Sequence, residues 1–373
     1  MEKTCKERSI GNKQTAGYAF PFLMGILLFM AACTKDKTNS ATDNIKPAGP
    51  KPAWAPSITP QMQTVLEKLA SYGTPPLYTL SVDAARKAPS PADAAMAVMK
   101  DYNIPAPAMM VDTSGKDIPV TGGNIHLRIY TPKTGKSSYP VIVYYHGGGW
   151  VIATLDTYNA SAQALAEKTE AVVVSVAYRQ APEFKYPTAH NDSYAAYLWV
   201  LQNAATIKGD PKKIAVAGES AGGNLAVAVS MMARGRGVAL PVHMALVYPV
   251  ANNDTTTISF VRYDEPAKPL NKPLVKWFLN NYLPSPANSS DSLIALAKAN
   301  LKGLPSATII AAELDPLLSE GQLLADRLQQ ASVSVTRKEY TGVTHEFFGM
   351  ATVIPEAKQA QDYVVSELKK AFK

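Results

Sequence analysis

From Ile125 onward the chain alternates short apolar runs with longer stretches patterned for helices, and this rhythm constrains its fold more than any other feature. Ile125, Leu127 and Ile129 alternate with His126, Arg128 and Tyr130, the period-2 signature of a half-buried strand at a sheet edge. Apolar runs follow at 141–145, 171–176, 214–217, 244–247, 307–311 and 333–340, and helical candidates lie near 158–168, 189–204, 221–233, 318–330 and 355–371. Such alternation predicts an α/β architecture, a mostly parallel sheet with helices on both faces.

The rhythm lapses over residues 251–303. Within that insertion Leu274, Trp277, Phe278 and Tyr282 form one apolar helical face. Upstream, Met62, Val65, Leu66, Leu69 and Ala70 stand at helical spacing, and residues 93–102 make a second helical candidate. These two regions, 57–102 and 251–303, are expected to cap a catalytic domain that runs from 57 to 373.

The run Gly218-Glu219-Ser220-Ala221-Gly222 is a Gly-x-Ser-x-Gly pentapeptide, which composition alone would supply in roughly one chain in eight of this length. Its context is more specific. An apolar strand ends at Gly218 and a helix candidate begins at Ala221, so Ser220 falls at the strand-to-helix turn that exposes a nucleophilic hydroxyl at a helix N-terminus. The run His146-Gly147-Gly148-Gly149-Trp150 follows another apolar strand, and no Gly-Lys-Ser/Thr that would mark a phosphate loop follows it. Backbone N–H groups of Gly147 and Gly148, with that of Ala221, can then form an oxyanion hole.

A serine nucleophile needs a base and a carboxylate that orients it. Downstream of Ser220, His345 lies after the last strand and before the last helix, whereas His243 starts a strand at the end opposite the site and reads as structural. His126 and His190 precede the nucleophile and read as surface or core residues. Asp315 follows the strand 307–311 and is fixed by Pro316, with Glu313 and Glu320 as rivals for its role. The expected catalytic set is Ser220, His345 and Asp315, a chemistry that calls for no metal or cofactor.

Five blocks in order now resemble the hormone-sensitive-lipase family of bacterial esterases: HGGGWVIATLDTYN from His146, YRQAPEFKYPTAHND from Tyr178, AGESAGGN from Ala217, ELDPLLSEG from Glu313 and GVTHEFFGM from Gly342. The resemblance implies the α/β-hydrolase fold with an eight-stranded sheet, the triad and oxyanion residues above, and structural support from the block 178–187. It implies hydrolysis of esters with short to medium acyl groups through an acyl-enzyme. A deacetylase of acetylated sugars or amides is an alternative, and a receptor without catalysis is a remoter one. Ala153 stands where the family usually has glycine, Gln180 where leucine is usual, and Glu219 where aspartate or threonine is commoner.

The N-terminus carries Lys3, Lys6, Arg8 and Lys13 ahead of an uncharged apolar stretch, residues 16–32, which is the pattern of a secretory signal. Met30-Ala31-Ala32-Cys33 resembles a bacterial lipobox, which implies lipid attachment at Cys33 and an exported enzyme anchored to the cell envelope. Residues 33–56 are polar and proline-rich and read as a flexible tether. The net charge of +7 includes +4 from residues 1–56, so the rest of the chain is too sparsely basic for a nucleic-acid binder. The cysteines, Cys5 and Cys33, both precede the folded region, so the domain holds no disulfide.

Overall fold

The computed structural model describes residues 41–264 and 269–373; the expected signal segment, Cys33 and the start of the expected tether lie outside them. Eight strands form one sheet: β1 (Val111–Val120), β2 (Gly123–Pro132), β3 (Tyr139–Tyr145), β4 (Val172–Ala177), β5 (Gly209–Glu219), β6 (Met244–Val247), β7 (Ala307–Leu314) and β8 (Val335–Thr344). Their order is β1-β2-β4-β3-β5-β6-β7-β8, antiparallel between β1, β2 and β4 and parallel from there on.

The helices are α1 (Pro60–Ser71), α2 (Val82–Lys87), α3 (Pro91–Asp101), α4 (Asn159–Thr169), α5 (Thr188–Asn203), α6 (Ala221–Gly235), α7 (Ile258–Arg262), α8 (Lys272–Tyr282), α9 (Leu318–Gln330) and α10 (Pro355–Ala371). Because side chains alternate across a strand, the sheet builds two cores. On one face Val141, Val143 and Tyr145 meet residues of α5, α6 and α9; on the other Ile142 and Tyr144 meet those of α4 and α10. Both faces of the central strands are covered, which is why β3 to β7 read as continuous apolar runs.

The parallel strands all deliver their C-terminal ends to one edge. Ser220 follows β5, Asp315 follows β7, His345 follows β8 and the glycine run follows β3. This is the edge at which open α/β sheets place their ligands.

Three features differ from the sequence reading. The stretch 41–56 is not a free tether: Ile45 and Ala55 are buried, Glu67 accepts from the backbone N–H groups of Ala48 and Gly49, and the Gln63 amide donates to the carbonyls of Gly49 and Pro50. Its polar backbone finds partners on α1, so few apolar side chains suffice to hold it. Strand β1 is the second. It buries only Val111 and Ile118, as an outer edge strand can, and so carries no alternation to detect. Third, α1 buries Met62 and Val65 in the α4 and α10 core, while of the two expected cap regions it is residues from 77–93 and 269–278 that reach the larger cavity at the sheet edge.

Candidate active site

Ser220 occupies a backbone conformation of φ 55° and ψ −119°, a region that non-glycine residues avoid. The turn that imposes it is tight on both sides. A Cβ on Gly218 would lie 2.2 Å from the Gly222 carbonyl oxygen, and one on Gly222 would lie 1.9 Å from that of Tyr145, so neither position admits a side chain. The Ser220 N–H donates to the Val247 carbonyl at 2.9 Å, which pins the turn to the end of β6. Its hydroxyl therefore stands at the first turn of α6, where the N–H of Ala221 has no intrahelical acceptor.

His345 Nε2 lies 2.9 Å from Ser220 Oγ, and its Nδ1 lies 2.7 Å from Asp315 Oδ2. The other oxygen of Asp315 accepts from the Leu317 N–H at 2.9 Å, so the carboxylate is fixed by the chain just beyond it. Burial works against a charged imidazole here, but the Asp315 carboxylate, joined by the charges of Glu346 and Glu219, outweighs it and holds the His345 pKa above the ordinary histidine value. The structure thus brings together the three residues picked from sequence. The rival carboxylates are engaged elsewhere: Glu313 accepts from Ser57 Oγ and the Gly342 N–H, and Glu320 from the N–H groups of Ala251 and Asn252. Of the other histidines, His243 bonds Ser306 and Thr308, His126 pairs with Asp117, and His190 is buried against Tyr282 and Asn224.

The glycine run is set by Tyr178. Its hydroxyl donates to the carbonyls of His146 at 2.9 Å and Gly147 at 3.2 Å. Peptide units are planar and trans, so the N–H groups of Gly147 and Gly148 point away from that hydroxyl. His146 stacks on the Tyr178 ring, and burial lowers its pKa to about 4, so it stays neutral. Gln180 donates to the carbonyls of Ile152 and Ala153, and Arg86 donates to those of Val151 and Ala181 while pairing with Glu183. Ala153 has φ 71°, a left-handed backbone that glycine adopts without cost, which explains why the resembled family prefers glycine there.

Two glutamates flank the three residues, Glu219 buried and Glu346 half-buried. Glu219 accepts from the hydroxyls of Tyr144 and Tyr248, and burial raises its pKa to about 7; the Tyr248 ring in turn packs 4.4 Å from the His345 ring. Glu346 accepts from the Tyr158 hydroxyl through both oxygens. Sequence reasoning passed over Tyr158, Tyr248, Arg86 and Glu346. Only Glu346 carried a local signal, its position next to His345.

Ser220 opens onto two cavities. One, of about 270 Å³, is walled by residues from α2 and α8 and contains His345, Glu346, Tyr158 and Gly148. The other, of about 30 Å³, lies between Trp150, Val250, Phe278 and Leu317. Among the described residues no group of three or more His, Cys, Asp or Glu is arranged to hold a metal ion.

Known proteins resemble this chain in sequence and in structure. A family model described as an alpha/beta hydrolase fold matches residues 142–349. Carboxylesterase NlhH of Mycobacterium tuberculosis is 40% identical over 253 residues, which cover 67% of this chain and 79% of the relative. An ethyl acetate hydrolase of Pseudomonas putida is 29% identical over 319 residues, covering 84% and 98%. The crystal structure of a thermostable esterase from Pseudomonas putida ECU1011 superposes with a TM-score of 0.77 at 31% identity, over 86% of this chain and 99% of that one.

Proposed function

We propose that this chain, which belongs to the hormone-sensitive-lipase-like branch of the α/β-hydrolase family and is a carboxylic ester hydrolase, acts on esters of short acyl groups through Ser220, His345 and Asp315. The observation that carries the proposal is the continuous hydrogen-bonded line from Asp315 through His345 to Ser220, at 2.7 and 2.9 Å. In acylation His345 Nε2 takes the Ser220 proton as Oγ attacks the ester carbonyl, and Asp315 stabilises the imidazolium. The N–H groups of Gly147, Gly148 and Ala221 receive the oxyanion. The imidazolium then protonates the leaving alcohol, and water repeats the cycle on the acyl-enzyme.

Acyl-chain preference follows from the two cavities. The smaller one beside Ser220 has room for about two water molecules, which suits the end of an acetyl or propionyl group. The larger one would take the alcohol. The name of the ethyl acetate hydrolase, a relative along most of the chain, agrees with that assignment. A series of aryl esters from acetyl to decanoyl tests it, with acetylated oligosaccharides as a second arm. The expected result is the highest kcat/KM at acetyl to butyryl, with a fall of about tenfold or more by octanoyl. A preference for octanoyl or longer would overturn the assignment, and turnover of the oligosaccharides alone would favour the deacetylase.

The lipobox-like run ending at Cys33 supports an exported enzyme tethered to the cell envelope by a lipid. Cys33→Ser is expected to release the activity from the membrane fraction; unchanged membrane association would rule out lipidation as the anchor.

A further inference from the structure

We propose that Glu346, clamped by the Tyr158 hydroxyl, positions the water that hydrolyses the acyl-enzyme. The inference rests on the reading of Ser220 as the residue that carries the acyl group. Glu346 has φ 70°, a left-handed conformation rare for a side chain of its size, directly after the base. That backbone places Oε1 4.0 Å from His345 Nε2. Tyr158, which lies 188 residues earlier and precedes α4, donates to the two carboxylate oxygens at 2.7 and 2.8 Å. A phenol brings one hydrogen, so the carboxylate keeps free lone pairs. Glu346, Tyr158, His345 and Ser220 all line the larger cavity.

Deacylation makes a demand that acylation does not. Once Ser220 Oγ is esterified it no longer donates to His345 Nε2, and a water must take that place. The water gives one hydrogen to Nε2 as its oxygen attacks the acyl carbon. Its second hydrogen needs an acceptor if the lone pair is to face the carbon. One water donating two bonds of about 2.8 Å reaches acceptors about 4 to 4.5 Å apart, and the separation of Nε2 and Oε1 is 4.0 Å. That attack forms the new C–O bond, and as the tetrahedral adduct collapses the bond to Ser220 Oγ breaks. The proton on His345 passes to Ser220 Oγ, and the second hydrogen leaves with the carboxylic acid. Glu346 accepts a hydrogen bond throughout and takes no proton.

Tyr158 and Glu346 also tie the turn after β8 to the start of α4, so a purely structural role has to be separated from a positioning one. Methanol makes the separation, because its single hydrogen goes to His345 and it needs no second acceptor. Wild-type enzyme, Glu346→Ala, Glu346→Gln and Tyr158→Phe are mixed rapidly with an aryl acetate, with and without methanol. For Glu346→Ala the expected result is hydrolysis of the acyl-enzyme slowed about tenfold or more and a stoichiometric burst of the phenol. kcat and KM then fall together with kcat/KM nearly unchanged, and the methyl acetate share of product rises in proportion. Glu346→Gln and Tyr158→Phe should shift the partition in the same direction by less, and Glu346→Gln keeps the shape of the site should the alanine variant fold poorly.

A loss shared equally by kcat and kcat/KM without a burst, or an unchanged methanol partition, would overturn the inference. If the wild type forms no acyl-enzyme on Ser220, the functional reading itself falls. If it does and the partition does not move, only the role of Glu346 falls.

Discussion

Replacing Ser220 by alanine is expected to lower kcat for an aryl acetate by about 10⁵-fold or more, with little change in substrate affinity or in the thermal melt. The change removes one oxygen, and with it the covalent route. It leaves the Asp315–His345 pair at 2.7 Å and the N–H groups around the turn in place. Where triad members have been deleted, residual catalysis of about 10³ to 10⁴ over water survives through the oxyanion donors and binding. The same residue is expected here, which makes the variant a test of division of labour as well as of identity. Steady-state turnover measured at high enzyme concentration reads both, and a loss smaller than about tenfold would show that some other group attacks the ester.

Asp315→Asn is expected to lower kcat by about 10⁴-fold. The buried Asp315 carboxylate accepts the Nδ1 hydrogen of His345 and so leaves Nε2 free to take the Ser220 proton. An asparagine amide can present N–H to Nδ1 instead. That selects the tautomer with hydrogen on Nε2, which cannot act as base. The pH profile should move as well. Activity needs neutral His345 and therefore rises with pH through its pKa, which Asp315 holds above the ordinary value against the opposing effect of burial. With the carboxylate gone the largest of the effects that favour the imidazolium is lost, although Glu346 and Glu219 remain, and the acid limb of the residual kcat/KM shifts downward in pH. An acid limb that stays in place would mean that another group controls the titration.

How much of this was legible in the chain depended on range. Strands β3 to β7 announced themselves because both their faces are buried, and the turn at Ser220 because glycine is forced on both sides of it. Asp315 and His345 were found because β7 and β8 end at the same sheet edge as β5, so topology brought them together. What stayed hidden were partnerships with no local pattern. Strand β1 is paired along its whole length with β2 yet mostly exposed, and residues 41–56 are held by hydrogen bonds to α1. Arg86 reaches the glycine loop across 65 residues, and Tyr158 meets Glu346 across 188. A tyrosine before a helix and a glutamate after a histidine announce no partnership with each other in sequence. Only the fold sets them face to face.

The covalent step is the centre of the account, and labelling with an aryl phosphonate followed by peptide mapping reads it directly. The predicted result is a single added mass on the peptide that carries Ser220, lost in Ser220→Ala and greatly slowed in His345→Ala. A label on any other residue, or ester hydrolysis that continues unimpaired once Ser220 is blocked, would contradict it.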